Sequence, residues 1–391
     1  MPDGAGRGFD AVQTEYRCWR YGALSDRQLD DWQALCDRDP STRSALLGPE
    51  FAGLVAGLRG DVRVILASRE GALTGVLALH KRPFGHARAV GAPFNDYCGP
   101  VLAPGECVSL PDMLAAAGVS SYHAPTSITP PDRLGEVSVE GEDTAFVISL
   151  DGRTPEEYIE HFRSQHAKRH KNFRRLLRQL ERESDEALKL VWGAPVPEHL
   201  KALLAWKSDQ FRRDGFVDVT STPNSAAILE AAANLQPEGP GQLHGFMISL
   251  MLGDTLLAGH FGVRKGGDFH PWIAAYNPEF SDNAPGILLL YRAIEQIGEI
   301  GLDTYDLSGG HDHYKKYFAE PRRANWNLRA HAGGLMNGFG RVQRSAWRAV
   351  GGHDPAGPAA RLRRRLDHIA ACEPRLGARV GELVTAVRKR R

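Results

Sequence analysis

The stretch FMISLMLGDTLLAGHFGVRK, residues 246–265, decides the fold of this 391-residue chain. It consists of two apolar runs separated by Gly-Asp-Thr, and short apolar runs bounded by turn residues are typical of a β-hairpin. A third strand is predicted at 269–276, and a polar loop and a helix follow it. This order predicts a mainly antiparallel sheet over 243–331, with the helix 285–300 on one face.

The same order of elements occurs near the N-terminus. Two strands joined by the turn REGA are predicted in 62–80, and a third strand follows them. Superimposing Gly75 on Gly259, 184 positions later, also places Lys81 on Lys265. A repeat of this length indicates two copies of one domain rather than a solenoid of short repeats.

The repeat divides the chain into two α/β modules and a tail. We assign the N-terminal module to 15–150 and the C-terminal module to 151–335, and we expect the catalytic site in the C-terminal module. Residues 336–391 are assigned to a basic, partly helical tail. The last 51 residues carry 13 Arg and Lys against four Asp and Glu, a net charge of +9. Such a tail predicts either weak contact with a polyanion or a membrane surface, or a solvated segment without a partner.

Composition excludes several functional classes. The whole chain has a net charge of only +1, which excludes a protein dominated by nucleic-acid or membrane electrostatics. Its five cysteines are odd in number and form no CxxC pair, which argues against a zinc ribbon or a disulfide framework. The N-terminus lacks the apolar segment of an export signal, and no apolar run is long enough to span a membrane. We therefore expect a cytoplasmic protein without a transmembrane segment.

A long amphipathic helix is predicted between the two copies. Thr154, Pro155 and Glu157 form a capping-box sequence at its start, and the helical pattern continues to about Glu183. The basic side of this helix consists of Lys168, Lys171, Arg175, Arg178 and Arg182. Arg169 falls instead in the middle of the apolar side, so we expect it to be buried against a partner. That partner is either an internal carboxylate or a substrate phosphate.

The segment NPEFSDNAPG, residues 277–286, leads into the helix ILLLYRAIEQIGEIG. The first turn of a helix presents free backbone N–H groups and a partial positive charge, which suit a phosphate or pyrophosphate. Pro285 is pre-shaped for a helix start, and Gly286 allows close approach to the backbone. The alternative interpretation is an ordinary helix cap.

Several familiar motifs are absent from the sequence. It contains no GxxxxGK[ST] phosphate loop and no GxSxG nucleophile elbow. His311 and His313 form an HxH pair that could bind a metal, but no third ligand lies nearby in the sequence. We therefore expect no metal site.

Two motifs and one shorter phrase together resemble a known family. The first motif is a strand that ends in an acidic residue, a glycine loop and Tyr-Lys, here Asp306, Gly309, Gly310, Tyr314 and Lys315. The second is the basic helix around KNFRR, 171–175, and the phrase FNDYCGPVL, 94–102, adds a central Asp-Tyr. Over about 62–331 the chain resembles the GNAT-superfamily acetyltransferases of the CelD-like type, which are associated with cellulose and exopolysaccharide biosynthesis loci. It is more distantly similar to the Fem peptidoglycan aminoacyltransferases, which carry two GNAT-like modules.

The resemblance implies a fold and an activity. The fold would be α/β (α+β), with tandem GNAT-like modules and mainly antiparallel mixed sheets flanked by helices. The activity would be transfer of an acyl group, preferentially acetyl, from acetyl-CoA or another acyl-CoA to an amine or hydroxyl of a sugar or polysaccharide precursor. Two alternatives remain open, namely Fem-like aminoacyl transfer from aminoacyl-tRNA and a non-catalytic polyanion-binding module.

The resemblance also implies roles for individual residues. Lys315 would stabilise an oxyanion or anchor a phosphate, Asp306 or a histidine of the next loop would take the acceptor proton, and Tyr314 would protonate the leaving thiolate. The acyl-CoA site is expected at Asn283, Ala284, Gly286 and Ile287. The acceptor is expected in the cleft between the modules, beside Asp96, Tyr97 and Arg169.

Overall fold

The computed structural model describes residues 14–39, 43–214, 218–237, 239, 241–310, 314–332 and Leu366. His311 and His313 lie outside the described residues, and so does the tail assigned to 336–391 apart from Leu366. No helix in the described part of the chain is long and apolar enough to cross a bilayer.

The hairpins predicted in 62–80 and 246–265 are both present, and further strands and helices follow each of them. The strands are β1 (Glu15–Arg20), β2 (Val62–Arg69), β3 (Ala72–Lys81), β4 (His86–Ala89), β5 (Val101–Leu102), β6 (Ser121–Ser127), β7 (Ser138–Ser149), β8 (Leu188–Gly193), β9 (Leu243–Leu252), β10 (Thr255–Lys265), β11 (Asp268–Tyr276), β12 (Thr304–Asp306) and β13 (Glu320–His331). The helices are α1 (Asp26–Arg38), α2 (Pro49–Leu58), α3 (Leu110–Ala116), α4 (Pro155–Gln165), α5 (Ala167–Ser184), α6 (Pro197–Asp214), α7 (Pro223–Asn234), α8 (Pro285–Glu295), α9 (Ile297–Ile300) and α10 (Lys315–Phe318).

All of these strands belong to one mixed sheet. The order across it is β1-β2-β3-β4-β6-β13-β7-β12-β11-β10-β9-β8, and β5 pairs with β3. The pairs β4–β6 and β11–β12 are parallel, and the other strand pairs are antiparallel. The predicted class, a mainly antiparallel mixed sheet flanked by helices, is confirmed.

The sheet contains two copies of one module. Gly75 lies in β3 and Gly259 in β10, each the second strand of an equivalent hairpin, and Lys81 and Lys265 end those strands. In each copy the third strand runs antiparallel to the second and parallel to the strand that follows the next helix. The repeat inferred from the sequence is therefore the repeat of the fold.

The two modules exchange their last strands. β7 does not return to β6 of its own module but pairs with β12, while β13 pairs with β6. β7 and β13 lie side by side at the centre and join the modules into a continuous sheet. The sequence predicted that β13 lies in one sheet with the other strands of the C-terminal module. In the structure its neighbours are instead β6 and β7, which both belong to the N-terminal module.

The predicted long helix is two helices. The capping box at Thr154 is present as expected, but the chain leaves the helical conformation at His166, with φ −135° and ψ 45°. Gln165, His166 and Arg169 occupy the positions that would carry an apolar stripe across this point, so no apolar side chain holds a straight helix against the core. The predicted helix over 285–300 is likewise divided, at Gln296.

An aromatic cluster holds α10 against the rest of the C-terminal module. Phe318 stacks on Phe162 of α4 and Phe173 of α5, with ring centroids 5.2 and 5.8 Å apart. The hydroxyl of Tyr158 donates a hydrogen bond to the carbonyl of Phe318 at 2.5 Å. Since α10 has only four residues, this packing rather than helix propensity fixes the position of Lys315.

Candidate active site

The parallel strands β11 and β12 separate soon after they begin. They pair only at Asp268 with Thr304 and at Phe269 with Tyr305. Beyond these residues β11 continues along β10, whereas β12 continues along β7 to Asp306. A gap therefore opens between the carboxyl ends of the two strands, where side chains from both can meet.

Side chains from both modules meet at this gap. Tyr97 donates a hydrogen bond to Asp306 Oδ1 at 2.7 Å, and Arg323 donates to Oδ2 at 3.3 Å. His270 Nε2 lies 2.8 Å from Asp96 Oδ2, and its Nδ1 lies 3.9 Å from Asp306 Oδ2. The structure thus brings together three of the predicted site residues, two from the N-terminal module and one from the C-terminal module.

The sequence did not identify His270 and Arg323 as members of this cluster. His270 could have been noticed as a polar residue between Phe269 and Pro271 in an otherwise apolar strand. Arg323 gave no such signal, because it lies in a charged run in which Arg322 is equally plausible. Its guanidinium also lies over the Tyr97 ring, 4.6 Å from the centroid.

The cluster controls the protonation of its histidine and tyrosine. Burial alone would lower the pKa of His270, but the hydrogen bond to Asp96 and the charge of Asp306 raise this pKa above its ordinary value of 6.5. Burial, together with the charge of Asp306, raises the pKa of Tyr97 well above 10. The cluster therefore contains a hydrogen-bonded phenol that stays protonated near neutral pH, and a histidine whose charged form is more favoured than in a free imidazole.

The raised pKa of His270 makes stability depend on pH. Because the pKa is higher in the folded than in the unfolded chain, the contribution is complete below about pH 6.5 and is lost as the pH rises through the folded pKa. We expect the difference in unfolding free energy between the parent and His270→Gln to shrink on going from pH 6 to pH 9 in urea titrations. A difference that stays constant over this range would contradict a titrating His270.

Lys315 is buried beside the glycine loop that follows β12. Its amine donates a hydrogen bond to the carbonyl of Gly309 at 2.6 Å, and only 6% of the residue is exposed. The next residue, Lys316, is exposed, as expected for neighbours on a helical turn. The backbone N–H of Ser308 donates to Asp306 Oδ1, so the loop is attached to the strand end as well as to α10.

Two other predicted residues lie around α10. Tyr314 is the partly buried residue that precedes the helix. Arg169 is exposed, so the expectation that it is buried is wrong. It lies near the start of α5, where the apolar stripe is interrupted, and its guanidinium stacks over Tyr317 at 3.7 Å from the ring centroid. Within the described residues its partner is therefore this aromatic ring.

The predicted acyl-CoA residues form the start of α8. Asn283 ends a short 3-10 segment, and Ala284 adopts a left-handed conformation with φ 50° and ψ 50° before Pro285 begins the helix. No side chain caps this end of α8. A Cβ added at Gly286 would lie 3.7 Å from the Tyr276 ring, an ordinary contact. Pro285 has no N–H, and the N–H groups of Ala284 and Ile287 already donate to the carbonyls of Ser281 and Ala284 at 3.1 and 3.0 Å. The first-turn amide that could serve an anion is therefore that of Gly286, and the acyl-CoA role of this segment stays a prediction.

In the N-terminal module, the space between β4 and β6 and the start of α3 correspond to the gap and the helix start described above. Both are occupied by segments of the same module. Cys98 forms a parallel bridge with Ser127 at the end of β6, which closes the space beside β4. At the start of α3, Leu110 N donates to Leu134 O at 2.9 Å. Within the described residues, the C-terminal module thus offers the more open site.

Comparison with known proteins gives a family match and a set of similar folds. Residues 167–316 match the acetyltransferase (GNAT) domain family. The crystal structure of FemX superimposes with a TM-score of 0.53 at 12% identity and covers 84% of this chain and 99% of that one. A tandem GNAT protein from the clavulanic acid biosynthesis pathway superimposes with a TM-score of 0.44 at 10% identity. The match covers 82% of this chain and 99% of that one.

L-PGS from Bacillus licheniformis gives a TM-score of 0.43 at 11% identity and covers 82% of this chain and 96% of that one. A search of curated proteins gives no significant match. The described residues contain no group of three or more His, Cys, Asp or Glu side chains arranged to hold a metal ion. Residues 167–316 thus carry the match to the acetyltransferase (GNAT) domain family, and the chain has a tandem GNAT-like α/β fold.

Proposed function

We propose that this protein is an acyltransferase of the CelD-like type. It moves an acyl group, preferentially acetyl, from acyl-CoA to a hydroxyl or amine of a sugar or polysaccharide precursor. The observation that carries the proposal is the match of residues 167–316 to the acetyltransferase (GNAT) domain family, which includes the gap between β11 and β12 and the start of α8.

The donor site is proposed at the uncapped end of α8. The segment of Asn283, Ala284, Gly286 and Ile287 would hold the pyrophosphate of acyl-CoA, through the N–H of Gly286 and the partial positive charge of the helix start. The acceptor would lie in the cleft between the modules. Its proposed contacts are Asp96, Tyr97 and Arg169. The contact of Arg169 with Tyr317, two residues beyond Lys315, supports this part of the proposal.

The proposed chemistry is direct transfer. The acceptor oxygen or nitrogen attacks the thioester carbonyl and loses its proton to Asp306, whose carboxylate also orients Tyr97 and Arg323. Lys315 stabilises the oxyanion of the tetrahedral intermediate. When the C–S bond breaks, Tyr314 gives a proton to the CoA thiolate. The products are the acylated acceptor and free CoA. Proton exchange with bulk water then deprotonates Asp306 and reprotonates Tyr314.

Thermal unfolding with a panel of CoA ligands tests the donor assignment. We expect acetyl-CoA at about 100 times its dissociation constant to stabilise the chain by roughly 2.7 kcal/mol, with CoA and a long-chain acyl-CoA as comparisons. Gly286→Asp should abolish the stabilisation, since its carboxylate repels the pyrophosphate, while the free protein stays as stable because an acid suits a helix start. Gly298→Asp adds the same charge in α9 and should leave the stabilisation unchanged.

Two outcomes would contradict the proposed donor. One is the absence of stabilisation by every CoA species together with stabilisation by an aminoacyl-tRNA, which would identify Fem-like transfer. The other is equal stabilisation of Gly286→Asp and the parent, which would move the donor site away from α8.

A further inference from the structure

Helix α5 carries an exposed row of positive charge that the proposed reaction does not use. Its 18 residues contain seven Arg and Lys against two Glu, a net charge of +5. The five residues of its basic side are all exposed, namely Lys168, Lys171, Arg175, Arg178 and Arg182. On the opposite side four apolar residues are buried in the C-terminal module, namely Phe173, Leu176, Leu177 and Leu180. The helix therefore packs along its apolar side and turns its basic side to solvent.

The basic side of α5 lines an open groove with a volume of about 950 Å³. Seven of the eleven residues that line this groove are arginine or lysine, and Arg163 of α4 is one of them. Glu181 is the one carboxylate among its described lining residues. Burial and the charges of Arg163 and Arg174 lower the pKa of His170, which also lines the groove. The groove is therefore a region of positive potential.

Most of these charges lack a carboxylate partner within the described part of the chain. Arg174 lies 3.4 Å from Glu295 Oε1, but the side chains of Lys168, Lys171 and Arg178 make no hydrogen bond or ion pair with a described residue. Successive cations of the basic side are three or four residues apart, and like charges at this spacing destabilise a helix. A row that is present despite this repulsion indicates a negatively charged partner.

We propose that the basic side of α5 docks this protein on a membrane surface that contains anionic lipids. The inference goes beyond the proposed acyl transfer and does not depend on it. Clusters of four to eight Lys and Arg on an amphipathic helix are typical of binding to anionic lipid headgroups. At about 1.5 Å per residue, the row from Lys168 to Arg182 extends for about 21 Å along one side of the helix. Its cations can therefore contact several headgroups of one flat surface at the same time.

The distribution of charge over the chain fits an oriented contact of this kind. The whole chain is at +1, α5 is at +5 and the last 51 residues are at +9, so the remainder carries −13. An anionic surface attracts α5 and repels this remainder, which turns the basic side of α5 toward the bilayer. Since headgroup attraction is screened by salt, the contact is reversible.

A nucleic acid suits the same surface less well. Proteins hold single strands by stacking the bases on aromatic rings, and no Phe, Tyr or Trp is among the described residues that line the groove. Duplex RNA is contacted through phosphates and 2′-hydroxyls across successive grooves, whereas the cations of α5 form one straight row.

Sedimentation with lipid vesicles tests the docking surface. The parent should bind vesicles of phosphatidylcholine mixed with phosphatidylglycerol but not vesicles of phosphatidylcholine alone, and binding should weaken as the salt concentration rises. A triple variant with Lys168→Gln, Lys171→Gln and Arg178→Gln should bind about 100-fold more weakly, since each Lys or Arg near an anionic surface contributes about fivefold. Its unfolding temperature should be the same or higher, because glutamine is a good helix former and the repulsion is relieved.

A second triple variant is the matched control. Arg20→Gln, Arg38→Gln and Lys201→Gln together remove the same charge from exposed positions outside α5 and should leave vesicle binding unchanged. The single substitution Lys171→Gln should weaken binding about fivefold, which follows the effect one charge at a time.

Several results would overturn the docking surface. One is equal binding of the α5 triple variant and the parent, and another is equal loss in the two triple variants, which would show an effect of net charge alone. A third is equal behaviour of the parent toward vesicles with and without phosphatidylglycerol. Tighter binding of an RNA hairpin at the same salt concentration, lost in the α5 variant, would assign the row to a nucleic acid instead.

Discussion

Lys315→Met is expected to lower the rate of acyl transfer by about two to three powers of ten, the usual loss when one oxyanion donor is removed. Lysine is a compact positive charge, and burial beside Gly309 strengthens its field on a developing oxyanion. Methionine has a similar length but no charge. The rate is measured as thiol release from acetyl-CoA in the presence of the preferred acceptor.

The neighbouring lysine supplies the control for this experiment. Lys316→Met removes the same charge from an exposed position and should change the rate much less. The Lys315 amine also holds the glycine loop through its bond to Gly309. The unfolding temperature and the stabilisation by acetyl-CoA are therefore measured for the parent and for both variants. A fall in rate with donor binding retained supports a role in the reaction. Equal rates for the two variants would contradict that role, and loss of donor binding would assign Lys315 to the structure of the loop.

Asp306→Asn is expected to reduce the rate by about two to four powers of ten, the range for a general base. The same change should lower the free energy of unfolding by about 3 kcal/mol, because the partly buried guanidinium of Arg323 loses its charged partner. Rates are measured by thiol release at a temperature where both proteins are folded, and stability by urea titration.

Tyr97→Phe separates the role of Asp306 as a hydrogen-bond partner of Tyr97 from its proposed role as proton acceptor. It removes a single hydrogen bond to Asp306 and keeps the carboxylate, so we expect a loss of about 1 kcal/mol and a much smaller change in rate. If Asp306→Asn and Tyr97→Phe reduced the rate equally, the carboxylate would be a positioning group for Tyr97 rather than the proton acceptor.

Local sequence patterns were sufficient for much of the fold. The hairpin of β9 and β10 and its counterpart of β2 and β3 follow from apolar runs around short turns, and their repeat follows from the positions of two glycines. The capping box at Thr154 and the start of α8 at Pro285 were also predicted correctly. In each case the determining interactions lie within a few residues of one another, where propensity and hydrogen bonding act directly.

Long-range features were not predictable in the same way. The exchange of β7 and β13 depends on pairing between residues 173 to 191 positions apart in the chain, for which a single sequence gives no signal. The break at His166 was not predicted, because the helical pattern on either side of it is strong. Only Gln165, His166 and Arg169 interrupt the apolar stripe there. Asp306, Tyr97 and Asp96 were identified through motifs, whereas the role of Arg323 became visible only when its strand was placed beside β7.

The strand exchange has a consequence for how the protein unfolds. Each half of the chain contributes its final strand to the other half, so an excised half would expose the edge of β6 or β12 to solvent. Unpaired edges are templates for aggregation. One half cannot melt without removing a central strand from the other, which couples the two into one cooperative unit. The evolutionary duplication that the repeat suggests has therefore ended in two halves that are no longer independent folding units.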